Sequence, residues 1–162
     1  MADLTVLESK LAEVLGLAEA ASGAGERVSN LVEDEEIKRQ LEQMRQEAEE
    51  TAERCTQVAE NLDGKKTAVL EKARETKQEA TEMMRTYLGD DADGLDGLEF
   101  LTMAEAGEVG HWEILGVLGE KAGNQEINEL VQWAVPIQQR HFQTVRDGSL
   151  QLARDEDPNE EE

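Results

Sequence analysis

The chain contains only two histidines, and each lies three residues after a polar side chain in a helical pattern. Glu108 precedes His111 in GEVGHWEIL, and Gln138 precedes His141 in PIQQRHF. Residues at i and i+3 of a helix project from the same face, so the two members of each pair can act together. Oxygen donors combined with imidazole suit iron or manganese. The spacing therefore predicts two polar pairs that are able to hold a metal ion.

The two pairs should lie at similar depth in neighbouring helices. A short turn around Gly123 separates the helices that carry them, and such a turn makes neighbouring helices antiparallel. His111 lies twelve residues before Gly123 and Gln138 lies fifteen after it. One reading is a shared metal site between the helices. The other is a pair of neutral core histidines bonded to Glu108 and Gln138, because buried carboxylates and imidazoles cost several kcal/mol unless they are paired.

Three further acids are candidate ligands on two earlier helices. Glu47 and Glu50 form an i, i+3 carboxylate pair, and Glu19 is the only acid between Glu13 and Glu26. For each of them, an exposed and solvated position is the alternative. Carboxylates that bridge two metal ions would permit oxygen or peroxide chemistry.

The rest of the pattern predicts an all-α chain, because helix-forming residues dominate and period-two alternation is absent. We expect Asp3 to cap the first helix. The third segment is the most polar and should cross over outside the bundle. The predicted helices span about 3–32, 34–62, 66–88, 98–121 and 125–152.

The apolar stripe expected on the fourth helix is Leu101, Ala104, Glu108, His111, Leu115 and Leu118. Close approach of a neighbouring helix is the reason expected for Gly107, Gly110, Gly116 and Gly119. We interpret Trp112, Trp133 and Phe142 as packing residues, within the core or at a dimer interface.

Composition limits the possible functions. The chain has 162 residues and a net charge of -22, which argues against nucleic acid and anionic membranes as partners. We expect one domain over 1–153 and an acidic disordered tail over 154–162. No secretory signal or apolar span is recognisable, and Cys55 is the only cysteine, so a cytoplasmic location fits. No nucleophile elbow or phosphate-binding loop is present.

Two segments resemble ferritin-like proteins, most closely the stress-associated YciF-type branch. They are GEVGHWEILGVLGEKAGNQEINELVQWAVPIQQRHF in the last two helices and EAEETAERCTQVAENLDGKK in the second. The resemblance implies a ferritin-like antiparallel four-helix bundle with an additional crossover helix. It also implies a homodimer with a metal centre at mid-bundle. A role in oxidative or general stress, through iron or peroxide chemistry, would follow.

The resemblance assigns ligands residue by residue. Glu19 matches the acid of the first helix, Glu47 that of the second, and Glu108 with His111 the pair of the fourth. His141 is in register on the last helix. Two positions depart from the family pattern, since Thr51 stands where an imidazole is expected and Gln138 where a glutamate is expected. The cofactor that the resemblance implies is iron, with manganese as the second choice. A metal-free scaffold or stress protein with an eroded site is the alternative. The complete set of candidate ligands is Glu19, Glu47, Glu50, Glu108, His111, Gln138 and His141.

Overall fold

The computed structural model describes residues 2–161, which contain five α-helices and no β-strand. The helices are α1 (Val6–Ser29), α2 (Glu35–Glu60), α3 (Lys66–Tyr87), α4 (Gly94–Ala122) and α5 (Gln125–Asp155). The predicted all-α class is confirmed. No helix in the described range is both long and apolar enough to cross a membrane.

Local capping sets the helix starts and corrects two predicted boundaries. Thr5, not Asp3, caps α1, because Thr5 and Glu8 bond each other's backbone N–H in a capping box. Asp93 and Asp96 form the same device at the start of α4. α4 therefore begins at Gly94, one turn before the predicted start at about residue 98. At the other end of the chain, α5 continues two residues past the predicted boundary at 153.

Four helices form a closed ring in which each packs against two others. α1 contacts α2 and α4, and α5 contacts α4 and α2. Asn61 at the end of α2 bonds Glu126 at the start of α5, and Gln151 near the end of α5 bonds Asp34 at the start of α2. α2 and α5 therefore run antiparallel. The two-residue connection between α4 and α5 makes those helices antiparallel as well.

The third helix lies outside this ring and packs mainly on α1. It runs parallel to α1, because Lys65 beside its start pairs with Glu8 and Leu88 at its end accepts a hydrogen bond from Arg27. The two helices approach closely at Gly16, where an added Cβ would lie 2.8 Å from Cβ of Thr76. α3 thereby carries the chain back along the bundle between α2 and α4.

The interior has two apolar clusters with a polar layer between them. Trp112 and Leu15 lie in one cluster, which we call the Trp112 cluster, and Phe100 and Val28 in the other, the Phe100 cluster. All buried polar side chains of the described residues lie between the clusters along the helices. This central layer consists of Thr51, Glu105, Glu108, Gln138 and His141.

Candidate functional site

The pair on α5 is buried, as its spacing predicts. Gln138 is 1% exposed and His141 is 2% exposed. Both lie on the stripe that also buries Ala134 and Val145, at spacings of four and three. Two polar residues therefore occupy consecutive core positions at the middle of the longest helix.

The pair on α4 is divided between the core and the surface. Glu108 is buried, but the side chain of His111 is 41% exposed. The prediction that His111 lies in the core was wrong. Trp112, the next residue, takes the core position and is 0% exposed. Burial of an indole removes far more apolar surface from water than burial of an imidazole, so it fixes the rotation of α4 about its axis.

This rotation brings inward an acid that sequence reasoning missed. Glu105 takes the place predicted for Ala104 and is 3% exposed. It lies one turn before Glu108, so the carboxyl groups share one face of α4. Glu105 lies seven residues before Trp112, which places both on one face of a helix. Assigning Trp112 to the core from the sequence would therefore have predicted that Glu105 is buried.

His111 has partners of its own outside the central layer. Its Nδ1 lies 2.8 Å from the carbonyl oxygen of Gly107, and its Nε2 lies 3.9 Å from Oε2 of Glu13. Glu13 in turn pairs with Lys10 at 2.8 Å. His111 therefore belongs to a partly exposed polar group between α4 and α1, apart from His141.

The Gln138 amide joins the two buried carboxyl groups. One amide atom lies 3.1 Å from Oε2 of Glu105 and 3.3 Å from Oε2 of Glu108. With nitrogen in that place, Gln138 donates a hydrogen bond to each carboxyl group. With the carbonyl oxygen there, three oxygen atoms converge without a proton between them. The first arrangement suits a metal-free site, and the second needs either a cation or protonated carboxyl groups that donate to the amide oxygen.

Burial makes ionisation of these carboxyl groups unfavourable. It raises the pKa of Glu105 to about 8. It also raises the pKa of Glu108 well above its usual value, and the neighbouring charge of Glu105 adds to that increase. Neither carboxylate forms an ion pair with a lysine or an arginine in the part of the chain that is described. The two groups must therefore hold protons or share a cation.

The imidazole of His141 lies between two carboxyl groups. Its Nδ1 is 3.9 Å from Oε2 of Glu105, and its Nε2 is 3.5 Å from Oε1 of Glu47. The latter distance exceeds that of a well-formed hydrogen bond, and Nε2 has no hydrogen-bond partner among residues 2–161. Burial lowers the pKa of His141, while Glu47 opposes that change. A neutral imidazole has one nitrogen that accepts, and this nitrogen can bind a proton donor or a metal ion.

Glu47 connects the central layer with solvent. Its side chain is 19% exposed and forms an ion pair with Arg140 on α5. Thr51, one turn later on α2, is buried and donates its hydroxyl to the backbone oxygen of Glu47 at 2.8 Å. Thr51 therefore satisfies its own hydrogen bond and supports the α2 backbone beside His141.

The other predicted acids lie apart from His141. Glu50 is exposed and pairs with Arg54 at 3.2 Å, and Arg54 lies over the ring of Trp133 at 4.1 Å. Glu19 is half-buried on α1 and lines a cavity together with Glu105, Glu108 and His111. The structure thus brings together Glu108, Gln138, His141 and Glu47, leaves Glu50 outside, and places Glu19 across a cavity.

The remaining question is whether these residues fit a metal ion. In the described residues, no group of three or more histidine, cysteine and acidic side chains is arranged around one point. The donors that do converge are the carboxyl groups of Glu105 and Glu108 and the amide of Gln138, with Nδ1 of His141 at their edge. An oxygen-rich set with one imidazole fits iron or manganese by donor type. The unpartnered Nε2 of His141 faces Glu47 on the other side of the ring.

Comparison with known proteins adds no family to this description. No family model, no curated protein and no solved structure matches the chain. The chemistry of the central layer is therefore the basis on which a function is assigned.

Proposed function

We propose that this chain is a ferritin-like metal-binding bundle that holds a divalent transition metal, iron or manganese, in its central layer. Glu105, Glu108 and Gln138 supply oxygen donors, and His141 supplies nitrogen. Glu47 lies on the far side of the imidazole and orients it. The proposed ligands differ from those expected from the sequence by the addition of Glu105 and the omission of Glu19, Glu50 and His111. Glu47 changes from a ligand to a residue that orients His141.

The observation that carries this proposal is the pair of buried carboxyl groups that converge on one amide. The atom separations of 3.1 and 3.3 Å around the Gln138 amide are close to the edge of a metal coordination polyhedron. With metal–oxygen distances of about 2.1 Å, neighbouring oxygens of an octahedron lie about 3.0 Å apart. Small movements of the side chains would therefore complete a site.

The arrangement of the helices supports the ferritin-like part of the proposal. α1 and α2 form one antiparallel pair, α4 and α5 form the other, and α3 returns the chain between them. Bundles of this connectivity carry carboxylate and imidazole ligands on facing helices near their middle. The central layer has that position in this chain.

Bound iron or manganese would supply one-electron chemistry with oxygen or peroxide, which is the basis of the proposed role in oxidative or general stress. The chain's own residues exclude water and fix the donors. Trp112 closes the layer on one side and Phe100 lies in the cluster on the other. The Arg140–Glu47 ion pair covers the side of His141 that faces solvent.

Metal loading of matched histidine variants tests the proposal. Chelator-treated protein is titrated with Mn²⁺, or with Fe²⁺ without oxygen, and its melting temperature is recorded with Mg²⁺ as the control for general charge screening. Binding to the native state alone raises stability, by about 2.7 kcal/mol at a hundredfold excess over Kd. We expect His141→Ala to abolish the rise and His111→Ala to retain it. Equal responses of both variants would refute the site.

A metal-free bundle is the second candidate, and the Gln138 amide also supports it. With its nitrogen toward the acids, Gln138 satisfies both carboxyl groups without a cation. This candidate predicts a melting temperature that is insensitive to chelator and to each added metal. The protein would then act through its surface as a scaffold or stress protein.

The proposal also includes a homodimer in a reducing compartment such as the cytoplasm. Ile114 and Val117 are exposed on the outer face of α4. An added Cβ at Gly110 would have no described atom within 4 Å apart from the neighbouring backbone of α4 itself. Close approach inside the chain therefore accounts for Gly116 and Gly119 but not for Gly107 or Gly110. Trp112, one of the three aromatic residues interpreted as packing residues, packs in the core. Sedimentation of Ile114→Glu, with Leu150→Glu as the exposed control, tests this face. We expect only Ile114→Glu to shift the protein to monomer.

A further inference from the structure

A cavity of about 320 Å³ opens between α1, α3 and α4. It forms because α3 and α4 both pack on α1 and make little contact with each other. The cavity is therefore bounded by three helices of one chain. The cavity lies where it does because α3, the crossover helix, packs on α1 beside α4; no loop among the described residues forms its walls.

The walls of the cavity are largely apolar and adaptable. Three of the four methionines in the described residues line it: Met83 and Met84 from α3, and Met103 from α4. Small residues of α1, among them Ala20 and Ala24, form the opposite wall. Methionine side chains are flexible and polarizable, so such walls adjust to ligands of different shape.

The cavity reaches the central layer. Glu105 and Glu108 line it and are also the acids that converge on Gln138. A molecule within the cavity would therefore lie beside the proposed metal ligands. Glu19 also lines the cavity, so three carboxyl groups border a space that is otherwise apolar.

We propose that this cavity binds an uncharged, mainly apolar small molecule, and that this molecule is the substrate of the central layer. The binding itself needs no metal. Its assignment as substrate rests on the proposed function.

Charge is the reason for the choice of an uncharged ligand. Anions are disfavoured by the Glu19 carboxyl group and by the chain's net charge of -22. Two basic side chains line the cavity in the described residues: Lys77, which is exposed on α3, and His111, which is partly exposed on α4. A cationic head group would lose its hydration between methionines and alanines, which is costly. The second copy of the proposed homodimer would contact α4 at Ile114 and Val117, which do not line this cavity.

The volume sets the size of the ligand. A cavity of about 150 Å³ holds one benzene ring. This one has about twice that volume, which corresponds to two fused rings or a medium-length chain. Octan-1-ol is therefore a suitable probe, with octanoate and octylammonium as charged counterparts of equal length.

Methionine-methyl NMR tests the proposal with an internal control. Met44 is buried in the Phe100 cluster and does not line the cavity. Upon addition of octan-1-ol to chelator-treated protein labelled with ¹³C-methyl methionine, we expect the Met83, Met84 and Met103 signals to shift and the Met44 signal to stay. Octanoate and octylammonium should bind at least about tenfold more weakly than octan-1-ol.

Two alanines of α4 provide a matched pair of variants. Ala104 lines the cavity, whereas Ala106 is exposed and does not. Ala104→Phe should weaken octan-1-ol binding at least about tenfold, and Ala106→Phe should leave it within about twofold. An unchanged Met44 signal establishes that each variant is folded. Ala80→Phe on α3 fills the same cavity if Ala104→Phe does not fold.

Several results would overturn the proposal. These are equal shifts at Met44, Met83, Met84 and Met103, no shift up to the solubility of octanol, or tighter binding of either charged probe. Shifts that depend on protein concentration without a probe would assign the cavity to a second copy. If the unaltered protein binds Mn²⁺ but not octanol, the cavity proposal alone is refuted. If it binds octanol but does not respond to metal, the metal site alone is refuted.

Discussion

The central layer and the two apolar clusters that flank it lie in one helical bundle, but they differ in what they bury and in how they affect stability. The clusters bury Trp112, Phe100 and aliphatic residues without charge. The layer between them buries two acids, an amide and an imidazole. Stability arises in the clusters, because apolar burial is favourable in proportion to its area. The layer opposes stability unless protons or a cation neutralise it.

The largest expected effect is a loss of stability caused by a substitution in an apolar cluster. Trp112→Ala should lower the free energy of unfolding by about 3–5 kcal/mol, because it leaves a cavity in the Trp112 cluster. His111→Ala, at the adjacent exposed position, should change it by less than about 0.5 kcal/mol. Urea unfolding at constant pH measures both. Similar losses in the two variants would show that the rotation of α4 is not the one described.

A change of opposite sign is expected in the central layer. Glu105→Met keeps the volume of the side chain but removes a buried ionisable group. We expect metal-free protein to become more stable by about 1–3 kcal/mol, since apolar replacements of buried charges are often stabilising. The same variant should lose the metal-dependent rise in melting temperature. Destabilisation together with retained metal binding would mean that Glu105 is a structural residue.

The sequence predicts the helices and the buried residues of α5 correctly, but it does not predict which face of α4 is buried. Helix number and class follow from composition, and the burial of Gln138 and His141 follows from their spacing. The rotation of α4 does not, because stripes through Ala104 and Glu105, or through His111 and Trp112, fit the same periodicity. Only packing of the indole against the neighbouring helices selects between them. The capping residue Thr5 was predictable from its spacing of three residues to Glu8. In that capping box the Glu8 side chain also accepts a hydrogen bond from the backbone N–H of Thr5.

The pH dependence of stability should also separate the two regions. The folded-state pKa of Glu105 is raised to about 8, so the folded chain holds a proton that the unfolded chain has lost. Stability is then greatest at low pH and falls as the pH rises toward 8, by up to about 1.4 kcal/mol per unit for each such group. His141 acts in the opposite direction, but only near and below its usual pKa of 6.5. Urea unfolding of metal-free protein between pH 6.5 and 8 isolates the acids.

In that pH range, Glu105→Met should flatten the decrease, and the exposed variant Glu99→Gln should leave it unchanged. A stability that rises between pH 6.5 and 8 would contradict the buried, protonated state of the acids.

The smallest expected effect concerns the support of His141. Glu47→Gln removes the charge beside Nε2 and should weaken Mn²⁺ binding by about tenfold, the lower end of the range for residues that orient a metal-binding histidine. Glu50→Gln, three residues later on the exposed face, should change it by less than about twofold. Calorimetric titration of both variants compares them. Equal weakening would attribute the effect to general charge rather than to the contact with His141.

Anomalous diffraction from crystals of this protein grown with Mn²⁺ tests the central claim most directly. Metal binding in the central layer predicts a peak at the manganese edge among Glu105, Glu108, Gln138 and His141, with the Gln138 carbonyl oxygen turned toward it. The absence of a peak there, with the Gln138 amide nitrogen bonded to both carboxyl groups, would contradict metal binding in the central layer.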